Sequence, residues 1–437
     1  MQPCGVERAA VRCAKLLTLR RRDRAVVCFI PAFVVWSFAL SKVVLVCNTD
    51  GALANFRAPL IRALVAAGHD VVTISGSGGY IETLRAMGAR PIVVEFSRHS
   101  ASPLRNFGLF CDLLRIVRQE RPDVVHSFTH KAVIFGSLAA GLARVPKIVA
   151  TVTGLGTVFI RSDVKHRVLR QLLVWQYRFL LPSRVAVLFQ NPDDKQDLET
   201  LGAIAPGRGI VTAGSGIDLN EFPLPDATAI ETARARLAAE IGMDLGGRIV
   251  ALFPARGVPE KGFSEFYAAA QSLTRDFADR FAFVHMGLID TAASGALSAA
   301  EVAQYAGVHG VHFIGHKTDP GAYMQAADVV VLPSYREGVP RSLIEALAFG
   351  KCVVTTDVPG CRETVKDGWN GYLCAVRSAS SLAAALARID TDFLALAAPR
   401  SRQFCEEKFD VRKLNALTFG LYGLPPPADP SLARAQV

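Results

Sequence analysis

Glu337 and Glu345 stand eight positions apart in PSYREGVPRSLIEALAFG, residues 333–350, around a glycine and a proline. Gly338 lets the backbone come close to a ligand, and a helical pattern begins near Arg341, after Pro340. The first amides of that helix, around Arg341 to Leu343, have no intrahelical partner and favour an anion, with the Ser342 hydroxyl beside them. Glu337 precedes this anion position and Glu345 lies about one turn inside the helix. One acid can therefore serve groups on one side of a phosphate and the other acid groups on the opposite side. A nucleotide sugar has that layout: sugar hydroxyls, diphosphate, ribose hydroxyls. A loop acid and an acid on a solvated helix face would leave the same trace. A second stretch, FPARGVPEKGFSEF (residues 253–266), ends a strand in Arg256 and places Lys261 just before a helix. Two cations there can neutralise a diphosphate and stabilise it as a leaving group. A lysine at a helix start otherwise runs against the helix dipole.

The elements that position these residues alternate along the chain. From Ser41 onward, KVVLVCNT, VVTISG, RPIVVEF, DVVHSF and KIVATV read as buried parallel strands separated by amphipathic helical segments such as NFRAPLIRALVAAGHD. A second series starts near residue 248 with RIVALFPA, FAFVHMG, VHFIG, DVVVLPS and CVVTTD. The expected class is α/β, with two Rossmann-like doubly wound domains facing a cleft, residues 41–214 and 215–400. The turn-rich GSGIDLNEFPLPDATA (residues 214–229) suits a hinge. A last helix over 401–424 returns to the first domain and 425–437 forms a disordered tail. No G-x-G-x-x-G follows the first strand and no P-loop is present, which disfavours hydride transfer and P-loop phosphoryl chemistry.

A length of 437 residues suits two domains, and 51% hydrophobic with 20% charged residues describes a folded chain. The net charge of +10 fits a membrane surface or phosphorylated substrates. The chain carries no RNA-recognition signature or zinc-finger spacing, so nucleic acid is not an expected partner. Nine scattered cysteines without a C-x-x-C read as reduced cytosolic thiols, neither a disulfide frame nor a metal site. Residues 1–40 form an extension: the basic KLLTLRRRDR, then the apolar AVVCFIPAFVVWSFAL, shorter than the roughly 20 residues of a membrane span. It fits an interfacial anchor or an upstream extension from a misassigned start, and lacks a good signal-peptide cleavage site.

Together these residues resemble the retaining glycosyltransferases of family 4, which have the GT-B fold. Their acid, seven residues, acid hallmark matches Glu337 and Glu345, with ADVVVLPSYREG before it and GKCVVTTDVPGCRETVKDGWNGYL after it. Arg256 with Lys261, the linker GSGIDLNEF and FIGHKTD are similar to the family as well, and the likeness spans residues 41–422. The resemblance implies that Glu337 holds donor-sugar hydroxyls and Glu345 the ribose. Arg256 and Lys261 would hold the diphosphate, with the amides near Ser342 and Leu343. The loop at Gly315 and His316 would frame the nucleobase, and Gly51 would let its loop approach the donor phosphates. Where many relatives carry a histidine before a glycine after the fifth strand, this chain has Thr153 before Gly154. His130, in SFTHKA, is a candidate acceptor-side group, or a helix-capping or solvated histidine.

NFRAPLIRAL, VVEFSRHSASPL, THKAVIFGSLAAG and TGLGTVFI resemble bacterial enzymes that extend saccharides on undecaprenyl diphosphate, among them N-acetylgalactosaminyltransferases acting on lipid-linked bacillosamine. In RSDVKHRVLRQLLVWQYRFL, Val164, Val168, Leu172, Trp175 and Phe179 form a stripe with basic residues nearby. That stripe fits either an anionic bilayer surface or an ordinary core-facing helix. The expectation is a metal-independent transferase without a cofactor, moving a hexose or N-acetylhexosamine from a UDP-sugar to a polyprenyl-diphosphate-linked saccharide. It would work peripherally on the inner face of the cytoplasmic membrane. A transferase with a soluble acceptor and a non-catalytic nucleotide-sugar-binding protein are the alternatives.

Overall fold

The computed structural model describes residues 40–426 except 97–101, 162, 278, 290–299 and 301–309. The basic cluster and apolar run before residue 40, and the tail from 427, lie outside the described residues.

Among the described residues the first sheet has seven parallel strands in the order β3-β2-β1-β4-β5-β6-β7. They are β1 Lys42–Val46, β2 Asp70–Ser75, β3 Arg90–Val93, β4 Val124–Phe128, β5 Lys147–Val152, β6 Ala186–Phe189 and β7 Gly209–Val211. Its strands read as continuous apolar runs because helices cover both faces. In β1, Val44 and Val46 join the core on one side while Val43 and Leu45 join the core on the other. The second sheet has six parallel strands in the order β10-β9-β8-β11-β12-β13. These are β8 Ile249–Pro254, β9 Phe281–Met286, β10 Val311–Gly315, β11 Val329–Leu332, β12 Cys352–Thr356 and β13 Gly371–Cys374. Both sheets therefore repeat the doubly wound order, with switch points between β1 and β4 and between β8 and β11.

One local reading changes. The single helix expected over residues 55–68 is broken: Asp50–Phe56 ends at Arg57, and Ala58–Ala66 starts with proline in its first turn. Pro59 lacks the amide that would continue the first helix and is tolerated only where a new one begins. The segment after β4 begins as a π-helical turn, Ala132–Gly136, before Ser137–Leu142. At Gly136 a Cβ would stand 2.6 Å from Ser127 Oγ, so glycine lets this turn lie directly on the sheet.

Two crossings connect the domains side by side. Ile217 of the linker pairs with Asp410, its amide donating to Phe409 O at 2.8 Å while Val411 donates back to Ile217 O at 3.0 Å. Helix Thr391–Lys408 stays in the second core through Ala397, Phe404 and Cys405. Helix Val411–Tyr422 buries Phe419 and Tyr422 in the first. There the Tyr422 hydroxyl lies 2.6 Å from His126 Nδ1. Of the described cysteines, Cys111 is exposed and Cys47, Cys352, Cys361, Cys374 and Cys405 are buried. Burial pushes the Cys361, Cys374 and Cys405 thiols up to about 12, which makes them poor nucleophiles.

Candidate active site

At the second switch point the chain leaves β8 towards β9 and β11 towards β12, so the loops after these neighbours diverge and open a crevice. The loop after β8 closes in a single 3-10 turn, Pro259–Lys261. Gly262 follows at φ 75°, where a Cβ would stand 2.1 Å from Pro333 O. Only glycine fits both the left-handed backbone and that approach. The Tyr335 amide then donates to Glu260 O at 2.9 Å, and the Tyr335 hydroxyl to Glu265 Oε1 at 2.7 Å. Tied in this way, the two loops bring the Lys261 ammonium onto Glu337 Oε1 as a charge-assisted pair.

The loop carrying Glu337 is held from three sides. Its amide donates to Pro359 O at 3.1 Å, and Asn191 Nδ2 of the first domain donates to Gly338 O at 2.7 Å. A Cβ on Gly338 would stand 2.1 Å from Thr153 O and 2.3 Å from Gln190 Oε1. The close approach that Gly338 permits is thus that of the first domain's own backbone. Gly360, at φ 78°, faces it from the other side, its added Cβ 2.1 Å from Gly338 O.

Helix Arg341–Ala348 follows, with Pro340 at its N-cap and Leu343, Ile344, Ala346, Leu347 and Ala348 buried. The Leu343 amide does not stay available: it donates to Pro340 O at 3.1 Å because the first turn is tight. Of the three amides expected to be open at this helix start, those of Arg341 and Ser342 are left. Glu345 is paired with Arg341, whose Nε donates to Glu345 Oε1 at 2.8 Å and whose Nη1 donates to Gly216 O of the linker at 3.0 Å. Burial pushes the Glu345 carboxyl up, and Arg341 opposes that shift.

Across the crevice stands the first switch point. Thr129, directly after β4, has φ 70°, an uncommon conformation for a β-branched residue, and its buried hydroxyl has no partner among the described residues. Beside it the Arg57 guanidinium lies 4.4 Å from the centroid of the Phe128 ring, and burial pushes it down to about 10. Both escaped the sequence reading. Neither backbone strain nor a charge buried against a ring leaves a local pattern, although the arginine in NFRAPLIRAL, between two apolar segments, was a visible signal. His130 is neither a helix cap nor solvated: its Nδ1 lies 2.8 Å from the Tyr177 hydroxyl. Burial pushes it down to about 4, partly offset by the backbone of Gly154 and Leu155, so it is neutral at pH 7. Gly51 meets the ring of Tyr80, 3.2 Å from where its Cβ would be, so the neighbour it accommodates is that side chain. Gly315 at φ 69° faces open space at the end of β10, and His316 is exposed next to it.

A cleft of ≈ 380 Å³ between the two switch points is lined by Arg256, Lys261, Glu337, Gly338 and Ser342 of the second domain and by Thr129 and Thr153 of the first, with Arg57. Gly51, His130, Gly315, His316, Leu343 and Glu345 do not line it. Its walls are held together by charge. Asp193, Asp194 and Asp197 on helix Pro192–Thr200 face Arg336 and Arg362, with Arg336 Nη2 2.6 Å from Asp197 Oδ2 and Arg362 Nη1 3.1 Å from Asp193 Oδ1. Among the described residues no group of three or more His, Cys, Asp and Glu side chains could hold a metal ion. In the Asp-x-Asp of the chain, Asp390-Thr391-Asp392, Asp390 caps a helix, accepting from the Phe393 amide at 2.8 Å.

Residues 58–221 match the model described as Glycosyltransferase Family 4, and residues 244–398 the one described as Glycosyl transferases group 1. The chain is 30% identical, over 77% of its length and 85% of the relative's, to the N,N'-diacetylbacillosaminyl-diphospho-undecaprenol alpha-1,3-N-acetylgalactosaminyltransferase of Campylobacter jejuni. It is 26% identical to the UDP-Gal:alpha-D-GlcNAc-diphosphoundecaprenol alpha-1,3-galactosyltransferase of Escherichia coli, over 66% of this chain and 73% of that one. Among solved structures, HepE of Anabaena in complex with UDP-glucose superposes with a TM-score of 0.70 at 19% identity, over 88% of this chain and 100% of that one. WaaG, a glycosyltransferase of lipopolysaccharide biosynthesis, gives 0.61 at 19% identity, over 88% and 97%. Two doubly wound domains facing one cleft, both family matches and the 30% relative lead to one conclusion: the chain belongs to the family 4 glycosyltransferases and is a GT-B enzyme.

Proposed function

We propose that the enzyme moves a hexose or N-acetylhexosamine from a UDP-sugar to a polyprenyl-diphosphate-linked saccharide in bacterial surface-glycan assembly, with retention at the anomeric carbon. The observation that carries this reading is the meeting of Arg256, Lys261, Glu337 and Ser342 in one interdomain cleft. The sugars and acceptors in the names of the two relatives supply the substrate class.

The reaction breaks the bond between the anomeric carbon and the diphosphate oxygen, and negative charge develops on the departing UDP. Arg256, Lys261 and the amides of Arg341 and Ser342 stabilise that charge. A diphosphate arriving at Lys261 competes with Glu337 for the ammonium group and releases the carboxylate to hold hydroxyls of the donor sugar. Glu345, once exchanged from Arg341, serves the ribose. The acceptor hydroxyl forms the new carbon–oxygen bond on the face that the diphosphate leaves, and its proton passes to a departing phosphate oxygen. Fixed cations and amides carry the leaving-group charge, so the reaction proceeds with EDTA present and needs no cofactor. Catalysis takes place at the cytosolic face of the membrane, where the lipid-linked acceptor is presented.

The test supplies purified enzyme, in EDTA, with radiolabelled UDP- and GDP-sugars and membranes holding lipid-linked saccharides. Label entering the organic phase with one UDP-sugar, and lost in Glu337→Ala, supports the reading. Label moving only into water-soluble acceptors, or none moving from any donor, overturns it.

A further inference from the structure

Helix Val164–Leu180 has two apolar faces, and the fold uses one of them. Val174 and Tyr177 are buried in the first domain's core, with Leu173 and Leu180 packed against it. On the opposite side Val164, Val168, Leu172, Trp175 and Phe179 are 65%, 62%, 47%, 51% and 62% exposed. At about 100° per residue these five fall within an arc of about 80°. Ordinary core packing would have buried that stripe.

The charge on this helix is one-sided. It carries Lys165, His166, Arg167, Arg170 and Arg178 and no acid. Exposed Lys165 flanks the stripe on one edge, and exposed Arg167 and Arg178 flank it on the other. A second pair of exposed apolar residues, Leu104 and Phe107, opens helix Pro103–Glu120, which packs on the same face of the sheet through Leu109 and Leu113. Both helices start at the carboxyl ends of strands, the edge on which the cleft opens. The long helix is also tied to the cleft: Tyr177 on its inner face meets His130, next to Thr129. Arg161 just before it donates to Glu260 Oε1 at 2.7 Å, beside Lys261.

We propose that this face rests on an anionic lipid bilayer, the stripe entering the acyl boundary and Lys165, Arg167 and Arg178 meeting lipid phosphates. The proposal deepens the lipid-linked reading of the acceptor and rests on it. Apolar side chains flanked by cations, with a tryptophan among them, match a headgroup interface. A second copy of this chain is the poorer occupant, because a two-fold contact would set an acid-free basic helix against itself. Among the described residues no helix is long and apolar enough to cross a membrane, so the contact is one of lying on the surface.

The test is co-sedimentation of the full chain with vesicles of phosphatidylglycerol and phosphatidylethanolamine, and separately with phosphatidylcholine alone. Wild type is expected to bind the anionic vesicles, less so at high salt. Trp175→Glu/Phe179→Glu should weaken that binding about tenfold or more. Arg167→Gln/Arg178→Gln should keep the same melting temperature and lose the preference for anionic lipid. Both variants should retain transfer to a detergent-dispersed acceptor. Wild-type vesicle binding in both variants would overturn the proposal, placing any membrane contact elsewhere, residues 1–40 included. So would a dimer in sedimentation velocity that the glutamate variant abolishes, with no vesicle binding by wild type. Vesicle binding lost in the variants while wild type transfers nothing to lipid-linked acceptors would leave the surface standing and overturn the proposed reaction instead.

Discussion

Replacing Lys261 separates what the Lys261–Glu337 pair does for folding from what it does for transfer. The side chains are 28% and 16% exposed, so the pair stands between a surface ion pair and a buried one. Surface pairs contribute about 0.2–1 kcal/mol, and stripping one partner from a buried pair costs about 3–5 kcal/mol. Lys261→Ala should therefore cost about 1–2 kcal/mol of stability, and Glu337→Gln a similar amount. Losing one fixed donor to a developing oxyanion lowers kcat by about 10²–10³. The double variant Lys261→Ala/Glu337→Gln leaves no uncompensated charge and should recover about half or more of the lost stability, while transfer stays at the level of the worse single variant. Thermal melts give the stability arm, and labelled transfer at saturating donor gives the catalytic arm. A Lys261→Ala enzyme within about threefold of wild type in kcat, with the expected loss of stability, would refute the catalytic role and leave a structural pair.

Three further outcomes follow from the packing. Gly338→Ala puts a Cβ against the Thr153 carbonyl and Gln190; it should cost about 2 kcal/mol or more and at least tenfold in transfer, checked by melting and activity together. Thr129→Gly removes a strained left-handed threonine; a gain of up to about 1 kcal/mol is expected with reduced activity, and a fall in melting temperature would contradict the strain argument. Glu120, bonded first to Arg90 and also to Lys42, has its carboxyl held down to about 2 from an ordinary 4.5. The stability it contributes is present above about pH 4.5 and lost as pH falls towards about 2. Discounted for screening, Glu120→Gln should cost about 1 kcal/mol at pH 7, and urea titrations should show that difference shrinking through this window.

The sequence displayed the strands whose apolar runs are long and buried on both faces, such as β1 and β8. β6, β7 and β13, four, three and four residues long, were not read, whereas β3 and β11, also four residues long, were, because RPIVVEF and DVVVLPS stood out between clear helical segments. Glu337, Lys261 and Arg256 were visible because each follows a strand end within a few residues. Asn191 with Gly338, and Asp194 with Arg336, are more than 130 positions apart, and no local pattern encodes who meets whom. The same limit explains Glu345: its spacing from Glu337 was plain, but its pairing with Arg341 depends on how the linker and the helix pack. For the stripe on helix Val164–Leu180 periodicity was clear and direction was not, since a core face and a lipid face have the same spacing.

The most direct measurement combines donor, acceptor and stereochemistry in one tube. Full-length enzyme, an α-configured UDP-sugar and a polyprenyl-diphosphate monosaccharide would be incubated with EDTA, and the anomeric proton of the extended lipid-linked product read by NMR. The expected product is a disaccharide on the lipid with an α linkage, formed at an undiminished rate without divalent metal. A β linkage, a strict need for metal, or no extension of the lipid-linked sugar with any UDP-sugar would contradict it.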